Sequence, residues 1–206
     1  MICDCLENIR SPDYSLYAPR QEPPAGTLLS QEESPILFHP IKIRSLNIHN
    51  RILVSPMCQY SAENGHMTDW HLVHYGSFAI QGPGLTMLEC TSVTAAGRTN
   101  VGDSGLWVDS QIAPLKRIAD FFHSQNQKLG IQLSHAGRKS SCLAPWMKLL
   151  TSAPVEAGGW PDQVIGPSNE PWNEDMAVPR EMTIQDIQET TEAFARAAKR
   201  AIQASM

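Results

Sequence analysis

The chain has 206 residues, enough for one domain with a sizeable core, and its 16 basic residues are outnumbered by 21 acidic ones, a formal net charge of −5. No basic run is present to hold nucleic acid, and no apolar stretch approaches the roughly 20 residues that span a bilayer. Cys3, Cys5, Cys58, Cys90 and Cys142 are odd in number and irregularly spaced, which argues against a disulfide framework and for a reducing, cytoplasmic setting.

Residues 1–33 hold Pro12, Pro19, Pro23 and Pro24 among Ser, Glu and Gln, and no apolar h-region of a secretory signal. Such a composition buries too little apolar surface to offset ordering, so this part is expected to be a mobile tail, with the folded domain over 34–206. Cys3 and Cys5 lack a second pair at zinc-site spacing, and no metal is expected. From Ile36 to Ile48 the apolar residues Ile41, Ile43, Leu46 and Ile48 alternate loosely and predict a short hairpin.

Ile52-Leu53-Val54 is a short apolar run of the kind that forms a buried strand, and it stops at Ser55-Pro56, where proline cannot continue a ladder. Directly after the stop come a thioether, a thiol, an amide and a phenol: Met57, Cys58, Gln59 and Tyr60. A helix is predicted from Asp69 to Gln81, capped by Thr68, with Trp70, Val73, Ser77 and Ile80 buried and Gly82-Pro83-Gly84 ending it. His71 and His74 share one face of that helix, but no acidic third ligand follows, and a packing pair is the simpler reading.

The second strand runs over 85–93 and carries Glu89-Cys90-Thr91 at its C-terminal end. Asp109 is expected to cap a helix over 110–128 with the stripe Ile112, Leu115, Ile118, Ala119 and Phe122. The third strand is Ile131 to Ser134. Residues 144–180 hold six prolines together with Trp146, Trp160 and Trp172, which favours an ordered, folded-back excursion over a linker. Thr183 and Asp186 open a last helix expected to bury Ile184, Ile187, Thr191, Phe194, Ala195, Ala198 and Ile202. Strand and helix alternate three times, which means a parallel sheet, and no Gly-x-Gly-x-x-Gly follows the first strand to support a dinucleotide fold.

Three strand-end stretches carry a resemblance: Ser55-Pro56-Met57-Cys58-Gln59-Tyr60, Glu89-Cys90-Thr91-Ser92-Val93-Thr94, and Gly130-Ile131-Gln132-Leu133-Ser134-His135-Ala136-Gly137-Arg138-Lys139. In this order they resemble the old yellow enzyme family of FMN-dependent ene-reductases, in its cysteine-bearing branch, over roughly residues 36–204. The resemblance implies the N-terminal portion of a TIM (β/α)8 barrel, about three βα units after a hairpin that plugs the barrel bottom. It implies FMN as cofactor and NADPH or NADH as reductant, with hydride passing to the activated C=C bond of an α,β-unsaturated carbonyl compound. The backbone of Ser55, Pro56 and Met57 is then expected to line the flavin, Cys58 to tune it, Gln132 to read its pyrimidine edge, and Tyr60 to contact the substrate. Cys90 stands where the family commonly has a small residue, and it too is expected beside the flavin. His135, Arg138 and Lys139 fall near the mouth without an assigned role, solvated charge being the simplest reading of the last two.

The polar pair that holds the substrate carbonyl in this family, and its flavin-phosphate loops, belong to later strands than those in residues 1–206. The family reading is therefore an oxidoreductase, and the chain reading is its truncated N-terminal part. The alternative is a non-catalytic half-barrel fragment or interaction module. Partners are expected to be a small molecule and, if any, a second copy of the chain, with no nucleic acid and no membrane.

Overall fold

A computed structural model describes residues 20–30, 32 and 34–206. The segment expected as a mobile tail lies partly outside these residues, as do Cys3 and Cys5. Within it, Ala25 and Gly26 are tied to the rest of the chain: Gln127 donates to the Ala25 carbonyl at 3.2 Å and Asn50 to the Gly26 carbonyl at 3.0 Å.

The hairpin forms as expected from β1 (Ile41–Ile43) and β2 (Leu46–Ile48), antiparallel, with Ile41 opposite Ile48. Then come β3 (Leu53–Val54), α1 (Asp69–Gln81), β4 (Leu85–Ser92), α2 (Ile112–Ser124) and β5 (Leu129–Ser134). β3, β4 and β5 form one parallel sheet in that order, so the three strand ends that carry the motifs lie on one side. A two-residue parallel pair, β6 (Ile165–Gly166) and β7 (Arg180–Glu181), pins the excursion before α3 (Ile184–Gln203). Among the described residues no helix is long and apolar enough to cross a membrane.

The core lies between the sheet and its helices: Leu88 of β4, Tyr75 and Ala79 of α1, Leu115, Ile118 and Phe122 of α2, and Ala193, Ala197 and Ala201 of α3. The stripe expected for α2 is the one observed. Gly82 ends α1 in the left-handed region at φ 75°, and a Cβ there would stand 2.2 Å from the Ala25 carbonyl carbon, so glycine is required twice over.

Three expectations need correction. α1 buries His71, Tyr75, Gly76 and Ala79, whereas Trp70, Val73 and Ile80 are exposed. The apolar count misled because the inward face is partly polar, built around a buried carboxylate described below. Asp109 does not cap α2. It sits in a 3-10 turn over Asp109–Gln111 and accepts from Arg200 of α3 at 2.7 Å, while the Gln111 side chain takes the backbone N–H groups of Trp107 and Val108. In α3 the buried face is Ala193, Ala197 and Ala201, and Ile184, Ile187, Phe194 and Ile202 are exposed. Small residues let α3 approach α2 and β5 closely, so the contact stripe is alanine rather than the larger apolar residues. The α3 start is as expected: Thr183 and Asp186 bond reciprocally, and Arg180 grips the same carboxylate with two nitrogens at 2.8 and 2.9 Å.

Candidate active site

β3 ends at Val54, and residues 55–60 follow it without regular secondary structure. Backbone groups fix its far part. The Gln59 N–H donates to the Glu89 carboxylate at 2.9 Å, and the Ala62 N–H donates to the Gly102 carbonyl at 2.9 Å. Tyr60 takes a left-handed conformation at φ 53°, unusual for a residue with a side chain, which turns the phenol toward Trp146 of the excursion. The two rings meet edge to face at 5.4 Å. Burial, helped by the neighbouring Cys58, pushes the Tyr60 phenol up to about 12.

Cys90 in β4 lies opposite Gln132 in β5, just past a register shift between Leu88 and Cys90. Cys58 follows β3 on the neighbouring strand of the sheet, and the residue after it, Gln59, is held by Glu89, the residue before Cys90. Cys90 and Gln132 are thus side by side, and Cys58 lies on the adjoining connection at the same edge of the sheet. Both thiols are half-buried, Gln132 is exposed, and Met57 beside them is 46% exposed. Ser55 is exposed and Pro56 half-buried on the same edge. The donor set is mixed: soft sulfur atoms, and an exposed carboxamide that can both donate and accept. It matches the needs of a planar heterocycle with a polar pyrimidine edge.

Behind this edge lies a cluster that sequence reasoning did not assign. The Glu89 side chain is fully buried and accepts from Ser104 Oγ at 2.6 Å, Gln59 N at 2.9 Å, Tyr75 Oη at 3.0 Å and His71 Nε2 at 3.3 Å. The His71 tautomer follows from its other nitrogen. Nδ1 accepts the Thr68 N–H at 3.0 Å, so the proton sits on Nε2 and points at Glu89. Burial pushes the Glu89 carboxyl up, but the His71, Ser104 and Tyr75 donors outweigh it and hold it below its usual value. His71 is therefore a helix cap and a carboxylate donor, while His74 packs edge-on against Tyr75 and Phe78. The one available signal for this cluster was an ionisable residue, Glu89, within a strand expected to be covered on both faces.

A second buried carboxylate, Asp103, takes the Thr99 and Asn100 N–H groups on Oδ2 at 2.7 and 3.0 Å, and burial raises it to about 6. The charged residues after β5 hold the excursion: Arg138 donates to Ser168 at 3.1 Å and Lys139 sits 3.7 Å over the Trp172 ring. They are structural contacts rather than free solvated charges. His135 Nδ1 accepts the Gly137 N–H at 3.1 Å, and burial lowers its pKa. Trp160 is the buried tryptophan of the excursion, bonded to the Ala96 carbonyl at 2.9 Å, with Arg98 stacked on its ring at 4.6 Å.

A parallel sheet with helices between its strands, and polar side chains at its C-terminal strand ends, fits part of a (β/α)8 barrel. Solved structures agree. Morphinone reductase superposes with a TM-score of 0.69 at 24% identity, over 85% of this chain and 47% of that one. An old yellow enzyme from Pichia gives 0.69 at 24% identity, over 82% and 43%. The chain belongs to the NADH:flavin oxidoreductase / NADH oxidase family, whose model matches residues 36–206. An NADH:flavin oxidoreductase of Gibberella zeae is 48% identical over 205 residues, which is 99% of this chain and 49% of that protein. An NADPH dehydrogenase of Geobacillus is 40% identical over 171 residues, 82% of this chain and 45% of that protein. The chain spans about half the length of the curated relatives it matches.

Proposed function

We propose that Cys58, Cys90 and Gln132, with the backbone of Ser55, Pro56 and Met57, form the near half of an FMN site in an NAD(P)H-dependent reductase of α,β-unsaturated carbonyl compounds. The observation that carries this reading is the pairing of Cys90 with the exposed Gln132, with the Cys58–Gln59 segment tied to Glu89 beside them, in a chain of a flavin oxidoreductase family. Gln132 offers a donor and an acceptor to the pyrimidine edge, Cys58 and Cys90 offer polarisable contacts, and Glu89 fixes the loop through the Gln59 N–H. Tyr60, braced against Trp146, closes one side as a phenol that keeps its proton at neutral pH and can donate to a substrate oxygen. When bound, FMN would supply hydride transfer from a nicotinamide to the activated double bond.

Leu53, at 52%, and Ile184 and Ile202, each at 72%, are exposed apolar residues on β3 and α3, and they favour a second, narrower reading for residues 1–206 alone: a half-site without turnover. Fluorescence titration of the 206-residue chain with FMN and with riboflavin separates the two. Weak binding of similar strength for both flavins, weakened about fivefold by Gln132→Ala, is the expected result, since one lost hydrogen bond is worth about 1 kcal/mol. Sub-micromolar FMN binding with steady cyclohexenone reduction would overturn the half-site reading. Binding indifferent to Gln132→Ala would overturn the flavin placement.

A further inference from the structure

Beside Tyr60 the fold builds a hollow with a laced floor. Residues 99–102, 141–144 and 151–153 lie side by side there. The Cys142 N–H donates to the Thr99 carbonyl at 2.6 Å, the Leu143 N–H to the Thr151 carbonyl at 2.9 Å, and the Ala153 N–H to the Ser141 carbonyl at 2.7 Å. Gly102 backs onto Tyr60: a Cβ there would stand 2.4 Å from the Tyr60 carbonyl oxygen, so the floor is pressed against the loop that carries the phenol. Against this floor lies a cavity of about 340 Å³, with Tyr60, Val101, Leu143, Trp146, Met147 and Ala157 in its lining. Its polar groups already have partners. Asn100 donates to the Cys142 carbonyl at 2.9 Å and accepts the Gly102 N–H at 2.8 Å, and the Cys142 S–H donates to the Lys139 carbonyl at 3.2 Å. Among the described residues no charged side chain lines it.

We propose that this hollow is a substrate subsite for an uncharged apolar group, a single ring with a short chain or a fused bicycle. Size and polarity choose the occupant. A dry apolar cavity of roughly 150 Å³ holds benzene, so one of about 340 Å³ has room for a larger ring system. A helix, roughly 10 Å across with its side chains, would not enter it. A charged group would find no counter-charge in the lining and would lose its hydration. The apolar walls are open to receive a ligand: Trp146 is 70% exposed and Met147 64%. Tyr60 joins the hollow to the candidate active site, since it lines the cavity and follows Cys58 and Gln59 at the strand ends. A substrate can thus seat its ring here while its carbonyl end reaches the strand ends. The assignment rests on the flavin-site reading for what happens at that carbonyl end, and only there.

The test is a ligand-observed saturation-transfer NMR titration of the 206-residue chain without flavin, comparing 4-phenylbutan-2-one with butan-2-one, the same ketone lacking the ring. Neither probe is an enone, so the thiols of Cys58, Cys90 and Cys142 do not add to them. The ring should tighten binding at least about tenfold, the low end of what a single methylene is worth in an apolar pocket. Met147→Asp and Val101→Asp each set a carboxylate on the wall, at positions 64% and 47% exposed, where the fold should tolerate it. Each should weaken the phenyl ketone at least about fivefold with an unchanged thermal midpoint. If Val101→Asp lowers the midpoint, Met147→Asp decides alone. No gain from the ring, or a folded Met147→Asp chain that binds like the parent, would sink the proposal. So would binding that weakens as the chain concentration rises, because a second copy would then be the occupant. No flavin enters these measurements: a failed probe leaves the FMN titration standing, and a failed FMN titration leaves the probe result standing.

Discussion

Replacing Glu89 by glutamine keeps shape and removes charge, and the structure says what that costs. The carboxylate takes two donors on each oxygen: His71 Nε2 and Ser104 Oγ on Oε1, Gln59 N and Tyr75 Oη on Oε2. Two of the four can turn their hydroxyls and become acceptors. The other two cannot: Gln59 N–H is backbone, and His71 Nε2–H is fixed by the Thr68 N–H on its other nitrogen. Whichever way the amide is placed, its NH2 faces one of these fixed N–H groups. One buried donor is left unpaired, at about 1–3 kcal/mol, and the remaining bonds lose their charge assistance. The sum is about 2–4 kcal/mol, which for a domain of this size lowers Tm by about 4–16 °C. Urea denaturation of the parent chain and Glu89→Gln at pH 7 measures it, the midpoint falling at unchanged slope. Ser104→Ala should also cost less in the glutamine background than in the parent, because the 2.6 Å bond it removes is no longer to a charge. A Glu89→Gln variant within about 0.5 kcal/mol of the parent would refute the reasoning.

Asp103 gives a pH prediction. Its folded pKa is raised from 3.8 to about 6, so the native state binds the proton more tightly and stability from this group falls as pH rises from about 4 to about 6. Asp103→Asn should gain on the parent by about 3 kcal/mol across that window and hold the gain at pH 7, at about 1.4 kcal/mol per unit, whereas a constant difference between pH 4 and pH 7 would contradict it. Gly82→Ala meets both a left-handed φ of 75° and the Ala25 carbonyl, and should cost more than about 2 kcal/mol, read as a lowered midpoint. A neutral Gly82→Ala would mean that residues 25–26 do not pack there in solution.

The order of the main sheet and its helices was readable because β3 stops before Pro56, β4 starts after Gly84, and α2 is amphipathic in the usual sense. Its inward face, Leu115, Ile118, Ala119 and Phe122, is the largest-residue face, so pattern and burial coincide. α1 and α3 break that coincidence in two different ways. The inward face of α1 carries His71 because Glu89 needs a donor, and a polar residue subtracts from the apolar pattern used to find the face. The inward face of α3 carries alanines because closeness, not residue size, sets the contact, and Ile184 and Ile202 stand on the other side, 72% exposed. A reading that equates large apolar residues with burial therefore rotates both helices wrongly while placing their ends well.

The site divides along the same line. The placement of Cys58, Cys90 and Gln132 at one edge was legible because a strand end is a position in the sequence, and a parallel sheet turns such positions into one edge. What the sequence could not show is the support: Gln59 held by Glu89, Tyr60 turned by its φ of 53° toward Trp146, Lys139 laid on Trp172. Each of these contacts joins residues more than 29 apart or depends on a backbone angle, and neither leaves a periodic trace. Yet these contacts give the edge its shape. The Gln59 N–H is a backbone donor that any residue would carry, so no motif could have marked it. The residue that pays for its position is Glu89, whose charge is stable in the core only while all four donors remain in place. The chemistry at the mouth and the stability behind it are thus joined through one carboxylate, so Glu89→Gln should disturb the Cys58–Tyr60 loop as well as the fold.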